Sequence, residues 1–332
     1  MINFPFKKIL VTGGAGYIGS HLVNLLSNDT KSIITVVDSF RESRNNVQNL
    51  SNVFYEEVDI RDKKALSAVF KKAEPEIVFH FAGLASVPDS MKNPFDYYDH
   101  NVIGGINLLE CMREIGTKNI IFSSSASTYG EPLTEVISEN HQQVPTNTYG
   151  YTKLIFENIL KDYKRAYGFS SVSLRYFCAS GCDVKADIGE YHNPETHVIP
   201  SLALTALGRR EEFFIYGNDF ATPDGTGVRD YIHVIDLAEA HIKAMEKIKS
   251  SDGICEFYNL GINKGFSVKE LIDVTEKVSG KKLKYSFKER RMGDPSRLIA
   301  NSNKAQKELN WKPKFVDIKD MVGSTYTFLK NK

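Results

Sequence analysis

The segment Lys8-Ile-Leu-Val-Thr-Gly13-Gly-Ala-Gly16-Tyr-Ile-Gly19-Ser-His constrains the fold more than any other. It opens as a β-branched apolar run and closes on the start of an amphipathic pattern over 17–27. A strand that turns through spaced glycines straight into a helix is the opening of a βαβ unit. The glycines permit a tight turn, let backbone N–H groups approach a pyrophosphate, and allow close helix–strand packing. The helix N-terminus adds favourable potential for the negative charge. Taken alone, such a turn also serves βα units that bind nothing, so its neighbours decide.

Further strand-like runs fall at 33–38, 53–58, 77–80, 119–123 and 171–177, separated by helical patterns at 62–72, 94–115 and 149–167. Several runs are almost wholly apolar, as strands covered on both faces are. The alternation predicts parallel strands joined by helical crossovers. The expected fold is therefore α/β: a Rossmann-type doubly wound parallel sheet with a smaller mixed α/β substrate-binding domain. The second half is richer in Gly, Pro and His, with helical patterns at 234–249, 267–279 and 301–309. We place a dinucleotide domain at 1–177 and a second domain at 178–332, with segments near 228–245 returning to pack on the first.

Composition closes off several classes. The 332 residues carry a formal net charge of +1, and no basic run stands out, so neither nucleic acid nor an anionic membrane is an expected partner. No apolar stretch approaches the roughly 18–20 residues of a membrane span, and the N-terminus lacks a signal-peptide pattern. Cys111, Cys178, Cys182 and Cys255 are too scattered for a disulfide framework or a cysteine zinc site. A reduced cytoplasmic protein with no metal is expected.

The second run ends Val36-Val37-Asp38. An acidic residue about 20 positions after the glycine turn accepts hydrogen bonds from a ribose diol and repels a 2′-phosphate, which favours NAD over NADP; Arg41 and Arg44 follow closely and keep NADP open. Asp59 ends the next run, where it can meet the adenine amine, and Phe81-Ala82-Gly83 ends the fourth with small residues that let backbone approach the cofactor. Tyr149 and Lys153 are four apart and share a helix face. An ammonium there favours the phenolate, making the tyrosine a base near neutral pH. Ile120-Ile-Phe-Ser123-Ser124-Ser125 is a strand ending in hydroxyls, and Ser125 can share a substrate hydroxyl with that phenol.

Glycine turn, strand-end serine and Tyr-x-x-x-Lys, in that order, resemble the extended short-chain dehydrogenase/reductases. Within them the chain is similar to the UDP-glucose 4-epimerases over nearly its full length. The telling stretches are His80-Phe-Ala-Gly-Leu84, Tyr97-Tyr-Asp-His-Asn101, Ser123-Ser-Ser-Ala-Ser-Thr-Tyr129 and Leu174-Arg-Tyr-Phe177. Further on come Gly189-Glu-Tyr-His-Asn-Pro-Glu-Thr-His197-Val-Ile-Pro200, Asp224-Gly-Thr-Gly-Val-Arg229-Asp-Tyr-Ile-His233 and Arg290-Arg-Met-Gly-Asp294-Pro. The resemblance implies a resident NAD and reversible 4-epimerisation of a UDP-hexose through a 4-keto sugar, in galactose and related carbohydrate metabolism. It implies that Tyr149, Lys153 and Ser125 are catalytic. Cofactor contacts would come from Gly13, Gly16, Tyr17, Ile18, Gly19, Asp38, Ser39, Asp59, Ile60, Phe81, Ala82, Gly83, Ala85, Asn101, Ser123, Tyr149, Lys153 and Tyr176. Substrate contacts would come from Ser125, Tyr149, Cys178, His197, Val198, Tyr216, Arg229, Arg291, Asp294 and Leu298. The helical patterns at 94–115 and 149–167 resemble those that pair across the family's homodimer.

Two departures bear on the sugar. Cys178 stands where the family usually has asparagine, and a thiol is a weaker hydrogen-bonding group. Leu298 stands where a small residue is associated with admitting 2-acetamido sugars and tyrosine with excluding them. UDP-N-acetylglucosamine or a UDP-pentose is therefore the alternative substrate. A 4,6-dehydratase would need carboxylates after the strand-end hydroxyl, where this chain has Ala126-Ser127-Thr128. A silent dinucleotide sensor would be expected to lack the Tyr/Lys pair.

Overall fold

The computed structural model describes residues 3–41, 44–185, 187–192, 194–291 and 293–332. Asn193 and Met292, inside two of the quoted motifs, lie outside the described residues. In chain order the strands are β1 (Lys8–Thr12), β2 (Ile33–Asp38), β3 (Val53–Glu57), β4 (Ile77–His80), β5 (Asn119–Ser125), β6 (Ser170–Tyr176), β7 (Cys178–Ser180), β8 (Phe213–Tyr216), β9 (Val228–His233), β10 (Cys255–Leu260), β11 (Gly265–Ser267), β12 (Tyr285–Lys288) and β13 (Arg297–Leu298).

A seven-stranded sheet runs in the order β10-β6-β5-β4-β1-β2-β3. Every neighbouring pair in it is parallel. Side chains alternate between its two faces, as the pleat demands. From β1, Ile9 and Val11 enter one core, with Leu22, Val23 and Leu26 of the Tyr17–Leu26 helix and Leu237, Met245 and Ile248 of the Val234–Lys249 helix. Leu10, between them, enters the other. There it joins Leu66 and Phe70 of the Lys63–Ala73 helix, Leu108 and Met112 of Gly104–Ile115, and Phe156 and Leu160 of Thr148–Tyr167. Each such fully buried side chain contributes roughly 1.5–3 kcal/mol relative to exposure. Strand order reverses between β1 and β4, which opens a crevice beyond the C-terminal ends of the strands.

The helical pattern at 94–115 is not one continuous helix. It divides into Pro94–Tyr98, a π-helical turn at Asp99–Ile103, and Gly104–Ile115. Close packing accounts for the glycines that follow the turn: a Cβ on Gly105 would meet Phe156 Cε2 at 2.4 Å. The second half builds smaller sheets. β9 pairs with β7, β11 and β13, and β8 pairs with β12. The Val198–Ala206, Val268–Ser279 and Ile318–Asn331 helices pack with them through Ile199, Leu202, Leu271, Ile272 and Met321. β10 leaves that half and completes the edge of the large sheet beside β6.

Candidate active site

Gly13 takes φ +69°, a left-handed conformation that favours glycine, and a Cβ there would lie 2.6 Å from the Ala82 nitrogen. A Cβ on Gly19 would lie 2.3 Å from the Gly13 carbonyl oxygen. The turn is therefore shaped by backbone contact on both sides. Gly16 starts the Tyr17–Leu26 helix with no side-chain cap and no acidic residue in its first turn. An uncapped helix N-terminus that opens into a cavity is suited to a pyrophosphate. Asp38, at the end of β2, accepts from the N–H groups of Ala15 at 3.0 Å and Phe40 at 2.9 Å. It thus ties the glycine turn to the end of β2, in the position from which a ribose is read. Arg44 pairs with Glu57, with both oxygens at 2.7 Å, and Arg41 lies 3.3 Å from His100 Nε2.

One cavity of about 930 Å³ joins this turn to the second half of the chain. Of the residues read from sequence for the cofactor, Gly13, Gly16, Tyr17, Ile18, Gly19, Phe81, Gly83, Ala85, Ser123, Tyr149, Lys153 and Tyr176 line it. Asp38, Ser39, Asp59, Ile60, Ala82 and Asn101 are not among the lining residues. Ser39 is exposed and Ile60 is buried. Asp59 is clasped by the Arg61 guanidinium at 2.7 Å, and those hydrogen bonds hold its carboxyl below the usual range. Ala82 packs over Gly13. Asn101 is a strut at the π-helical turn. Its amide accepts from Leu84 N at 2.8 Å and donates to Leu84 O and to Thr152 Oγ1, each at 3.0 Å. It therefore couples the Gly83–Leu84 loop to the helix that carries Tyr149.

That helix, Thr148–Tyr167, begins where the Asn147 side chain accepts from Gly150 N at 2.8 Å. Tyr149 and Lys153 follow within its first two turns, both buried and both facing the cavity beside Ser125. Burial pushes the Tyr149 phenol above its ordinary value, and a hydrogen bond with Ser125 works against that. Burial also brings the Lys153 ammonium down to about 8, with Glu157 pulling it back up. Lys153 Nζ donates to the Ser123 carbonyl at 2.8 Å and lies 5.6 Å from the Tyr149 ring centroid. The lysine is thus anchored at the end of β5 rather than hydrogen-bonded to the phenol. One residue of the triplet is diverted: Ser124 donates to buried Glu157 at 2.6 Å.

From the second half, Cys178, His197, Val198, Tyr216, Arg229, Arg291, Asp294 and Leu298 all line the same cavity. Arg291 stacks its guanidinium 3.8 Å from the Tyr216 ring centroid, a planar shelf beside a cation. Burial pushes the Cys178 thiol up to about 11, so it is a neutral wall and not a nucleophile. Sequence reasoning missed Glu190, His192 and Glu195, which line the cavity with His197. Their spacing follows neither a helix nor a strand period.

A model of the GDP-mannose 4,6 dehydratase family matches residues 10–325. A UDP-glucose 4-epimerase of Halalkalibacterium halodurans is 45% identical over 322 residues, which span 97% of this chain and 95% of that protein. The structure of a UDP-glucose 4-epimerase from Brucella ovis in complex with NAD is 40% identical and superposes with a TM-score of 0.90, over 96% of this chain and 97% of that one. A Bifidobacterium longum UDP-glucose 4-epimerase in complex with NAD+ and UDP is 37% identical with a TM-score of 0.92, over 98% of each chain.

Proposed function

The chain belongs to the UDP-glucose 4-epimerase family, within the wider group that the GDP-mannose 4,6 dehydratase model describes, and from this we propose that it interconverts UDP-glucose and UDP-galactose with a resident NAD. One observation carries the reading. The uncapped glycine turn, the Ser125/Tyr149/Lys153 group and the Arg229/Arg291/Asp294 group open into one cavity. The Ala126–Thr128 turn after β5 carries no carboxylate, which argues against dehydration.

NAD held at the Gly13–Gly19 turn would supply the hydride acceptor and donor for the sugar C4, so the overall reaction needs no outside oxidant. The chain's own residues do the rest. Gly13, Gly16 and Gly19 hold the pyrophosphate against backbone, and Asp38 holds the adenosine ribose. Tyr149 Oη takes the proton of the 4-hydroxyl and gives it back after the 4-keto sugar has turned, while Ser125 orients that oxygen. Because burial raises the phenol's pKa, positive charge in its surroundings must bring it down; Lys153 supplies part of it. Arg229 and Arg291 grip the diphosphate with paired donors, Asp294 accepts from the uridine ribose, and Val198 and Tyr216 frame the base. Holding the nucleotide and not the hexose leaves the sugar free to present either face.

The division of labour is then that 1–177, with the returning Val234–Lys249 helix and β10 packed on its sheet, holds NAD, and the rest of 178–332 holds the UDP-sugar. Five exposed apolar residues described on the 94–115 and 148–167 segments, Phe95, Tyr98, Ile103, Tyr151 and Tyr167, support a homodimer through these helices. The four cysteines are free, which supports a reducing, cytoplasmic setting, and among the described residues no helix is long and apolar enough to cross a membrane.

The test is direct. Purified protein should convert UDP-galactose to UDP-glucose without added cofactor and release NAD on denaturation. Tyr149→Phe should lower kcat by about 10²–10⁴-fold while keeping the NAD. Turnover of UDP-N-acetylglucosamine or a UDP-pentose but not of UDP-galactose would replace the glucose reading. Unchanged turnover in Tyr149→Phe would remove the mechanism.

A further inference from the structure

We propose that Glu190, His192, Glu195 and His197 form a binding site for one divalent transition-metal ion of the Zn²⁺ type on the wall of the nucleotide cavity. Cysteine spacing gave no reason to expect a metal; the candidate ligands are histidines and glutamates instead. Their ligand atoms all lie within 4.8 Å of one another. His192 Nδ1 is 3.3 Å from Glu190 Oε1 and 3.6 Å from Glu195 Oε2. His197 Nδ1 is 2.8 Å from Glu190 Oε1 and 3.2 Å from Glu195 Oε1. A tetrahedral ion with bonds of about 2.0–2.1 Å spaces its ligands roughly 3.3 Å apart. The two Glu190 distances share one oxygen and lie near that edge length, while Glu195 meets the two histidines through different oxygens, so its carboxylate must turn to close a two-nitrogen, two-oxygen shell.

Charge points the same way. The Glu190 and Glu195 side chains are 5% and 7% exposed, and two carboxylates side by side out of water require about two positive charges nearby. One dication supplies them with both imidazoles neutral, the form in which histidine ligates. A hydrogen-bonded ionic quartet accounts for His197, whose Nδ1 pairs with Glu195 Oε1 at 3.2 Å, but not for His192. Nδ1 of His192 is buried and makes no hydrogen bond, although a carboxylate oxygen lies 3.3 Å away. A lone pair directed at a shared centre satisfies that atom; an N–H without an aligned acceptor does not. The outer contacts hold the ligands in place. His197 N donates to Glu195 Oε1 at 2.7 Å, and Arg210 Nη2 donates to the Glu195 carbonyl at 2.8 Å. An ion here staples the loop after Gly189 to the start of the Val198–Ala206 helix. None of this depends on which sugar is turned over.

The test uses the full-length protein with its bound cofactor, stripped with a chelator and titrated with Zn²⁺ and, separately, Co²⁺. Zn²⁺ should bind at one equivalent per chain and raise Tm. Co²⁺ should give the visible d–d bands of a four-coordinate nitrogen–oxygen site, without a thiolate charge-transfer band. His192→Ala and Glu195→Gln should each weaken binding by more than the roughly 10–100-fold that loss of a residue behind a ligand costs. Substoichiometric binding, or binding unchanged in both variants, overturns the proposal. Should the variants misfold, anomalous scattering at the zinc edge from wild-type crystals still decides it. A peak about 2.0–2.1 Å from both Nδ1 atoms supports the site; no peak there overturns it.

Discussion

Lys153 shows how one side chain's surroundings set a working pH. Its ammonium is brought down to about 8 by burial, so it is charged below that pH and neutral above it. The charge that favours the Tyr149 phenolate is then lost as pH rises. Initial rates against pH should show kcat falling above about pH 8. Lys153→Arg should be slower at neutral pH but lack that fall, since a guanidinium stays charged throughout the range. The same alkaline fall in the arginine variant would assign it elsewhere. Residues of this kind were legible in the sequence because short spacings fix them. Tyr149 and Lys153 need only a helix, and Asp38 needs only a strand of known length after Gly19. Asp59 and Asn101 were legible as positions but not as contacts. The clasp of Arg61 on Asp59 is local, two residues away, but follows no period that could be read, whereas the bridge from Asn101 to Leu84 and Thr152 joins segments that spacing does not bring together.

At the scale of elements, the Thr148–Tyr167 helix is tied to β6 one turn beyond Lys153. Arg175 donates to both oxygens of Glu157, at 2.8 and 2.7 Å, with both side chains almost fully buried. Glu157 also accepts from Ser124, and Arg175 donates to Tyr129 Oη at 2.9 Å. Removing one partner of such a pair strands a buried charge, which costs about 3–5 kcal/mol, whereas replacing both by apolar groups costs much less. Glu157→Gln should therefore lower stability in urea by that amount, and Glu157→Leu with Arg175→Met should recover most of it. A loss below about 1 kcal/mol for the single change would show the pair to be incidental. β1, β2 and β4 could be read to the residue because they are short apolar runs with clear ends. β10 could not. Cys-Glu-Phe-Tyr-Asn-Leu is an edge strand, buried only toward its end, and its mixed composition hides the pairing with β6. The π-helical turn at Asp99–Ile103 was hidden for a different reason: the helix before it, Pro94–Tyr98, is too short to show the phase shift that an extra residue makes.

Across the whole molecule, exposed apolar groups mark where a second copy is expected to sit. Phe95 is 76% and Ile103 50% exposed on adjoining segments of the same face-forming stretch. A stable pairing there must bury on the order of 1,200–2,000 Å² in total. Phe95→Asp combined with Ile103→Asp should shift the molar mass measured by light scattering from that of two chains to that of one. A dimer that survives this double change would move the interface to another surface.

The position of β10 also governs how the protein is made. The large sheet cannot be finished until Cys255–Leu260 has left the ribosome, yet β6 is complete at Tyr176. At about 5–20 residues per second, the roughly 80 intervening residues take some 4–16 s to appear. For that interval the newborn chain carries an open strand edge with unpaired backbone groups, on a strand that is buried throughout in the finished protein, a template for mispairing with other nascent chains. Slowing translation between these strands should therefore raise the insoluble fraction of the product without changing a single residue of the finished protein.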